Sequence, residues 1–132
     1  MVCIDQTALW QAAQNMTARA YAPYSEFKVG AALLAASGQV YLGVNVENAS
    51  YGLTCCAERV AVYNAVAAGE REFLAIAIAN AKNDYTAPCG ACRQVLQEFV
   101  REDFLWILGQ TETGFITYKM IELLPHAFKL VP

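Results

Sequence analysis

The chain has 132 residues, 57% of them apolar and only 16% charged, with a formal net charge of −3. That length suits one domain spanning residues 1–132 with a real core, and the charged share falls below the roughly 25% usual for soluble domains, so copies of the chain are expected to cover some apolar surface. Nine basic residues dispersed along the chain speak against a polynucleotide groove. Apolar runs such as "AALLAA" and "FLAIAIA" are far shorter than the roughly 18 residues of a membrane span, and "MVCIDQTALW" carries no basic leader, so a cytoplasmic, reducing location is expected.

In chain order, Leu9, Trp10, Ala13, Met16 and Ala20 recur at three- and four-residue spacing between about Asp5 and Tyr21. That spacing predicts an amphipathic helix, closed by the turn-prone "YAPYSE". "FKVGAALLAA" and "QVYLGVNVE" flank "SG" and read as a β-hairpin. "CCAERVAVYNAVAAGE" reads as a second helix that stops at Gly69. "FLAIAIANA" has strand length, and "CGACRQVLQEFV" returns to helical spacing through Ala91, Val95, Leu96 and Phe99. "FLWILGQ" and "GFITYKM", split by "TETG", give two further strands, and "IELLPHAF" a short helix or turn. The order predicts an α/β fold, a three-layer α/β/α sandwich on a mixed sheet of about five strands.

Five cysteines, at positions 3, 55, 56, 89 and 92, read in a reducing setting as thiols for metal binding or catalysis rather than as a disulfide framework. Cys89 and Cys92 form a Cys-x-x-Cys at a helix start, a pattern that serves to hold a metal, exchange disulfides or pack. Upstream, Cys56 and Glu58 form a Cys-x-Glu at the start of the second helix. Residues two apart do not share a helix face, so an ion would sit over the helix end, and two helix N-termini would converge on it. Three thiolates around Zn²⁺ leave net negative charge and make a bound water less acidic than histidine ligands do. Positive helix ends and backbone N–H groups, together with Arg59, would draw that charge off the sulfurs. With Cys56, Cys89 and Cys92 as ligands, the fourth position stays open to water, as in catalytic zinc sites. The other readings are a redox dithiol at Cys89 and Cys92, a closed four-thiolate site that adds Cys55, and Glu58 and Arg59 as ordinary helix and surface charges. Cys55 is otherwise expected in the core, and Cys3 and His126 are given no role.

"CAER" followed by "PCGACRQ" resembles the zinc site of the cytidine deaminases. "PYSEFKVGAAL", "GVNVENASYGLTCCAER" and "ELLPHAF" resemble further segments of the small homotetrameric members, so the likeness covers most of the chain from Pro23 to Phe128. The resemblance implies one Zn²⁺ per subunit on Cys56, Cys89 and Cys92, with Glu58 moving protons. It also implies Phe27 against the pyrimidine ring, Asn45 and Glu47 on ribose hydroxyls, and Tyr51 and Phe128 reaching active sites across subunit boundaries. The residues alone agree for one pair: Asn45 and Glu47 lie two apart at a strand end, share a face, and offer the donor and acceptors a sugar hydroxyl needs. Strand-end capping is their other reading, and Phe27 alone reads as core. Ala22, where relatives often carry phenylalanine, is expected to alter packing only.

The activity so implied is hydrolytic deamination of cytidine or 2′-deoxycytidine in pyrimidine salvage, with ammonia released. Glu58 would take a proton from the nucleophilic water, give it to ring N3, and later protonate the leaving amine. Backbone groups around Ala57 and Cys89 would orient the exocyclic nitrogen. The expected partners are a nucleoside and further copies of the chain, with no nucleic acid and no membrane. Two alternatives are a deaminase of a modified cytosine nucleoside, resembling the blasticidin resistance enzymes, and a non-enzymatic zinc-stabilised interaction module. The second leaves an open ligand position and Glu58 without purpose.

Overall fold

The computed structural model describes residues 2–111 and 114–132. The centre of the expected "TETG" turn, Glu112 and Thr113, lies outside the described residues. The elements are α1 (Gln6–Met16), β1 (Val29–Ala35), β2 (Val40–Val44), α2 (Ala57–Ala67), β3 (Phe73–Asn80), α3 (Gly90–Gln97), β4 (Leu105–Thr111), β5 (Gly114–Lys119) and α4 (Met120–Leu123), with 3₁₀ turns at Thr17–Arg19 and Tyr51–Leu53. The strands form one five-stranded sheet of order β2-β1-β3-β4-β5. Among the described strand pairs only β3 and β4 run parallel. A parallel neighbour requires a crossover connection, and the segment carrying α3 provides it.

Helix α1 opens where Asp5 Oδ1 accepts a hydrogen bond from the Ala8 amide at 3.1 Å, an N-cap bond. It ends earlier than the apolar spacing predicts. The Thr17 hydroxyl turns back to donate to the Gln14 carbonyl at 2.8 Å, a local bond that competes with regular helix, and the chain tightens into a 3₁₀ turn at Thr17–Arg19.

Strand β1 is buried along its whole length, so alternation supplies both faces of the sheet. Ala31, Leu33 and Ala35 join Ile76 and Ile78 of β3 on one face, where Ala61, Val62 and Ala65 of α2, Leu96 of α3 and Trp106 complete the core. Ala32 and Leu34 join Ala75, Ala77 and Ala79 on the other, which Leu9, Trp10 and Ala13 of α1 cover. Helices on both faces give the three layers expected from the element order.

Register brings three connecting segments together. Val29 pairs with Asn80 and Gly30 with Val44, so the start of β1 and the ends of β2 and β3 share one edge. The segments that enter or leave there are 22–28, 45–56 and 81–89. Gly43 fixes how close α2 lies: a Cβ at that position would overlap the Ala57 carbonyl oxygen in the first turn of the helix. No helix among the described residues is long and apolar enough to cross a membrane.

Candidate active site

Cys56 and Cys89 are the N-cap residues of α2 and α3, and neither side chain is spent on a capping bond. Cys92 lies in the first turn of α3. The two helix starts meet: Cys56 Sγ is 3.9 Å from Cys89 Sγ, Cys89 Sγ is 3.4 Å from Cys92 Sγ, and all three sulfurs lie within 4.8 Å of one another. Tetrahedral zinc with Zn–S bonds of about 2.3 Å separates its sulfurs by about 3.8 Å, so this soft, three-sulfur donor set fits zinc. Among the described residues no fourth ligand joins the cluster. His126 and Cys3 are exposed and stand apart from it.

Cys55 corrects the sequence reading. It is half-buried rather than in the core, because its amide and carbonyl both bond to Val46, each at 2.9 Å, which ties it to the strand-like edge beside the site. Burial pushes its thiol above the ordinary value, opposed by Arg59.

The charges are arranged around Cys56. The Cys92 thiol, donating to it, and the Arg59 guanidinium hold Cys56 down to about 5. Arg59 Nη2 donates to Cys56 Sγ at 3.4 Å, and the Cys56 charge in turn raises Arg59. Cys92 is shifted up, first by its bond to Cys56 and then by burial. One sulfur is therefore ready as thiolate at neutral pH. Glu58, in the first turn of α2 and only 4% exposed, is pushed up to about 7 by burial and then by the Cys56 charge.

Phe27, Asn45, Thr54, Ala57, Glu58, Thr86, Ala87, Cys56 and Cys89, with Val29, line one cavity of about 180 Å³. Phe27 keeps 38% of its surface exposed, more than a core reading allows. The Asn45 side chain holds the segment that carries it: Oδ1 accepts from the Val29 amide at 2.9 Å and Nδ2 donates to the Phe27 carbonyl at 2.7 Å. Glu47 holds the residues just before, accepting from the Tyr24 and Ser25 amides at 3.0 and 3.1 Å and from the Ser25 hydroxyl. The Ser25 hydroxyl, ahead of the two amides, keeps the Glu47 carboxyl below its usual range. Glu47 lines a neighbouring cleft with Tyr24, Ser25, Asn48, Tyr51 and Thr54, so Thr54 borders both spaces.

Tyr51 and Phe128 are 79% and 71% exposed and do not line the cavity beside Cys56. The Phe128 carbonyl accepts from Gln94 Nε2 of α3 at 3.1 Å, which ties the C-terminal segment to the helix of Cys92. Ala22 is buried. Sequence reading passed over Thr54, Thr86 and Ala87. Their signal was position alone, immediately before the two cysteine motifs.

The family model described as "Cytidine and deoxycytidylate deaminase zinc-binding region" matches residues 4–107. The chain is similar to a cytidine deaminase of Halalkalibacterium halodurans, 45% identical over 95% of each chain. It is also similar to a probable cytidine deaminase of Dictyostelium discoideum, 44% identical over 96% of this chain and 81% of the relative. Among solved structures, a cytidine deaminase from Burkholderia pseudomallei superposes with a TM-score of 0.88 at 46% identity, covering 95% of this chain and 100% of that one. One from Mycobacterium tuberculosis superposes at 0.85 and 40% identity, covering 97% and 100%.

Proposed function

The chain belongs to the cytidine deaminase family, and on that premise we propose that it is a zinc-dependent enzyme that hydrolyses cytidine and 2′-deoxycytidine to uridine and 2′-deoxyuridine, releasing ammonia. The observation that carries this reading is the cluster of three cysteine sulfurs beside a buried carboxyl in a single cavity.

Cys56, Cys89 and Cys92 would hold one zinc ion per subunit, which when bound supplies the Lewis acidity that makes water nucleophilic near neutral pH. Glu58 does the proton work. Its carboxyl, shifted to about 7, holds or releases a proton at little cost near neutrality, the condition for general acid–base catalysis. It takes a proton from the attacking water and passes it to ring N3 so that C4 becomes electrophilic; it then takes the proton of the hydroxyl newly added at C4 and delivers it to the amine, so that the C4–N bond breaks, ammonia leaves and C4 becomes a carbonyl. Arg59, bonded to Cys56, draws charge off that sulfur.

Phe27 packs against the pyrimidine, and backbone groups at Ala57 and Cys89 orient the exocyclic nitrogen, a reading supported by their shared cavity. Asn45 and Glu47 receive ribose hydroxyls with the bonding capacity left after holding residues 24–29. The exposure of Tyr51 and Phe128 supports a homotetramer in which they complete sites of neighbouring subunits. Residues 1–132 act as a single catalytic domain in the cytoplasm, in pyrimidine salvage, on a free nucleoside rather than nucleic acid or a membrane.

The test is the ultraviolet spectrum of cytidine incubated with zinc-replete protein, beside a Glu58→Ala variant that retains its zinc. Conversion to the uridine spectrum by the first and not the second is the expected result. No conversion by either would overturn the substrate assignment, and a monomer by light scattering would remove the cross-subunit roles.

A further inference from the structure

We propose that Asn80, which lies outside the cavity, is a positioning residue for substrate, acting through Thr86 on the cavity wall that leads into Cys89; this rests on the deaminase reading above. Asn80 is the last residue of β3, opposite Val29 in the sheet, and only 2% exposed. A buried amide needs partners for both its donors and its acceptor. Asn80 finds them all in the segment that follows it.

Its Nδ2 donates to the Asp84 carbonyl at 2.9 Å and to the Thr86 hydroxyl at 2.6 Å. Its Oδ1 accepts from the Lys82 and Asp84 amides at 2.9 and 3.3 Å. The segment needs such help because it leaves the sheet: the Asn83 amide donates back to the Asn80 carbonyl at 3.2 Å, and Asn83 sits at φ 56, a left-handed conformation that asparagine tolerates better than most residues. One side chain thus replaces the backbone ladder lost at the end of β3.

Thr86 is where this network meets the cavity. Its amide donates to the Gly109 carbonyl at 2.9 Å, and its hydroxyl, while accepting from Asn80, donates to the Asp84 carbonyl at 3.1 Å. With the hydroxyl so committed, Thr86 has its methyl group and backbone left to offer the cavity it shares with Phe27, Glu58 and Cys89. Two residues further on, the Pro88 carbonyl accepts from Arg93 Nε at 3.0 Å. The stretch into Cys89 is therefore pinned at both ends, and Asn80 is the anchor at the end nearer β3. Small displacements of such a wall are expected to weaken substrate placement, to which rates and affinities are steeply sensitive.

The test uses Asn80→Asp, which keeps the size but turns two donors into an acceptor, and Thr86→Val, which keeps the shape but lacks the hydroxyl, both loaded with zinc to the wild-type stoichiometry. KM and kcat for cytidine are measured with the Kd for uridine by calorimetry. Asn80→Asp is expected to raise KM and Kd about tenfold and Thr86→Val about threefold, with kcat changed less. The double variant is expected to be no weaker than Asn80→Asp, since the two share one bond. Should Asn80→Asp fail to fold, Thr86→Val decides alone. Folded variants with wild-type KM and Kd and only a lowered Tm would overturn the inference and leave Asn80 a structural residue. If wild type itself neither converts cytidine nor binds uridine, the deaminase reading falls first and this inference with it.

Discussion

The sulfur cluster has two arms, and they are built on different principles. The Cys56 arm is set by packing: α2 lies on β2 because Gly43 leaves no side chain under Ala57, and its first turn also carries the buried Glu58 and the sulfur-bound Arg59. The arm of Cys89 and Cys92 is set by polar side chains that bind backbone: Asn80 holds the incoming loop, and Arg93 spans the Pro88 carbonyl at 3.0 Å and the Leu123 carbonyl at 2.9 Å. The buried carboxyl and the sulfur-bound guanidinium are thus both carried by the arm that packing sets. On the other arm Leu96 anchors α3 in the core, but the stretch that leads into Cys89 rests on hydrogen bonds, each worth about 1 kcal/mol net.

The contrast sets an order of expected effects. Glu58→Gln keeps the volume and removes the titratable proton, so kcat should fall about 10²–10⁴-fold while zinc content by metal analysis stays at wild-type level. Next, Arg59→Gln should cost about tenfold or more in activity or zinc affinity, the usual effect of losing a partner to a metal ligand. Arg93→Gln should cost less, because Arg93 touches backbone and no sulfur; zinc release to a chelator compares the two, and equal losses would erase the distinction between the arms. Gly43→Ala forces a methyl group into α2 and should lower stability by about 1–3 kcal/mol, read as a drop in Tm that the matching change at exposed, uncrowded Gly90 should not reproduce.

The smallest effect concerns Glu47. Its bonds to Ser25 and Tyr24 lower its carboxyl in the folded chain, so its hold on that segment is complete above the ordinary carboxylate range. It is lost only as pH falls through the lowered value. The Tyr24 and Ser25 amide resonances should therefore stay constant from neutral pH down to about 5 and move only below the usual glutamate value of about 4.3. Movement above that range would contradict the assignment.

Legibility in the sequence followed the same division. The strands, α2 and α3 could be read because apolar period and helix starts are local signals, and a cysteine at each start marked the ends that meet in the sulfur cluster. The end of α1 could not, because one Thr17 hydroxyl bond outweighs an apolar spacing that runs on to Ala20. Phe27 read alone as core, yet the bonds of Asn45 to its carbonyl and to Val29 keep its segment at the cavity edge. Asn80 gave no signal, since an asparagine at a strand end looks the same whether it bonds to water or organises a loop. Cys55 was misplaced because a cysteine set aside as a ligand beside Cys56 left the core as its default place, whereas its backbone pairs with Val46.

X-ray absorption at the zinc edge of the zinc-loaded protein tests most directly the claim that the two arms share one open metal site. The expected result is three sulfur neighbours at about 2.3 Å and one light scatterer in the remaining position. Four sulfurs would draw in Cys55 and close the site, and a nitrogen shell consistent with imidazole would draw in His126; either result would contradict the open three-thiolate centre.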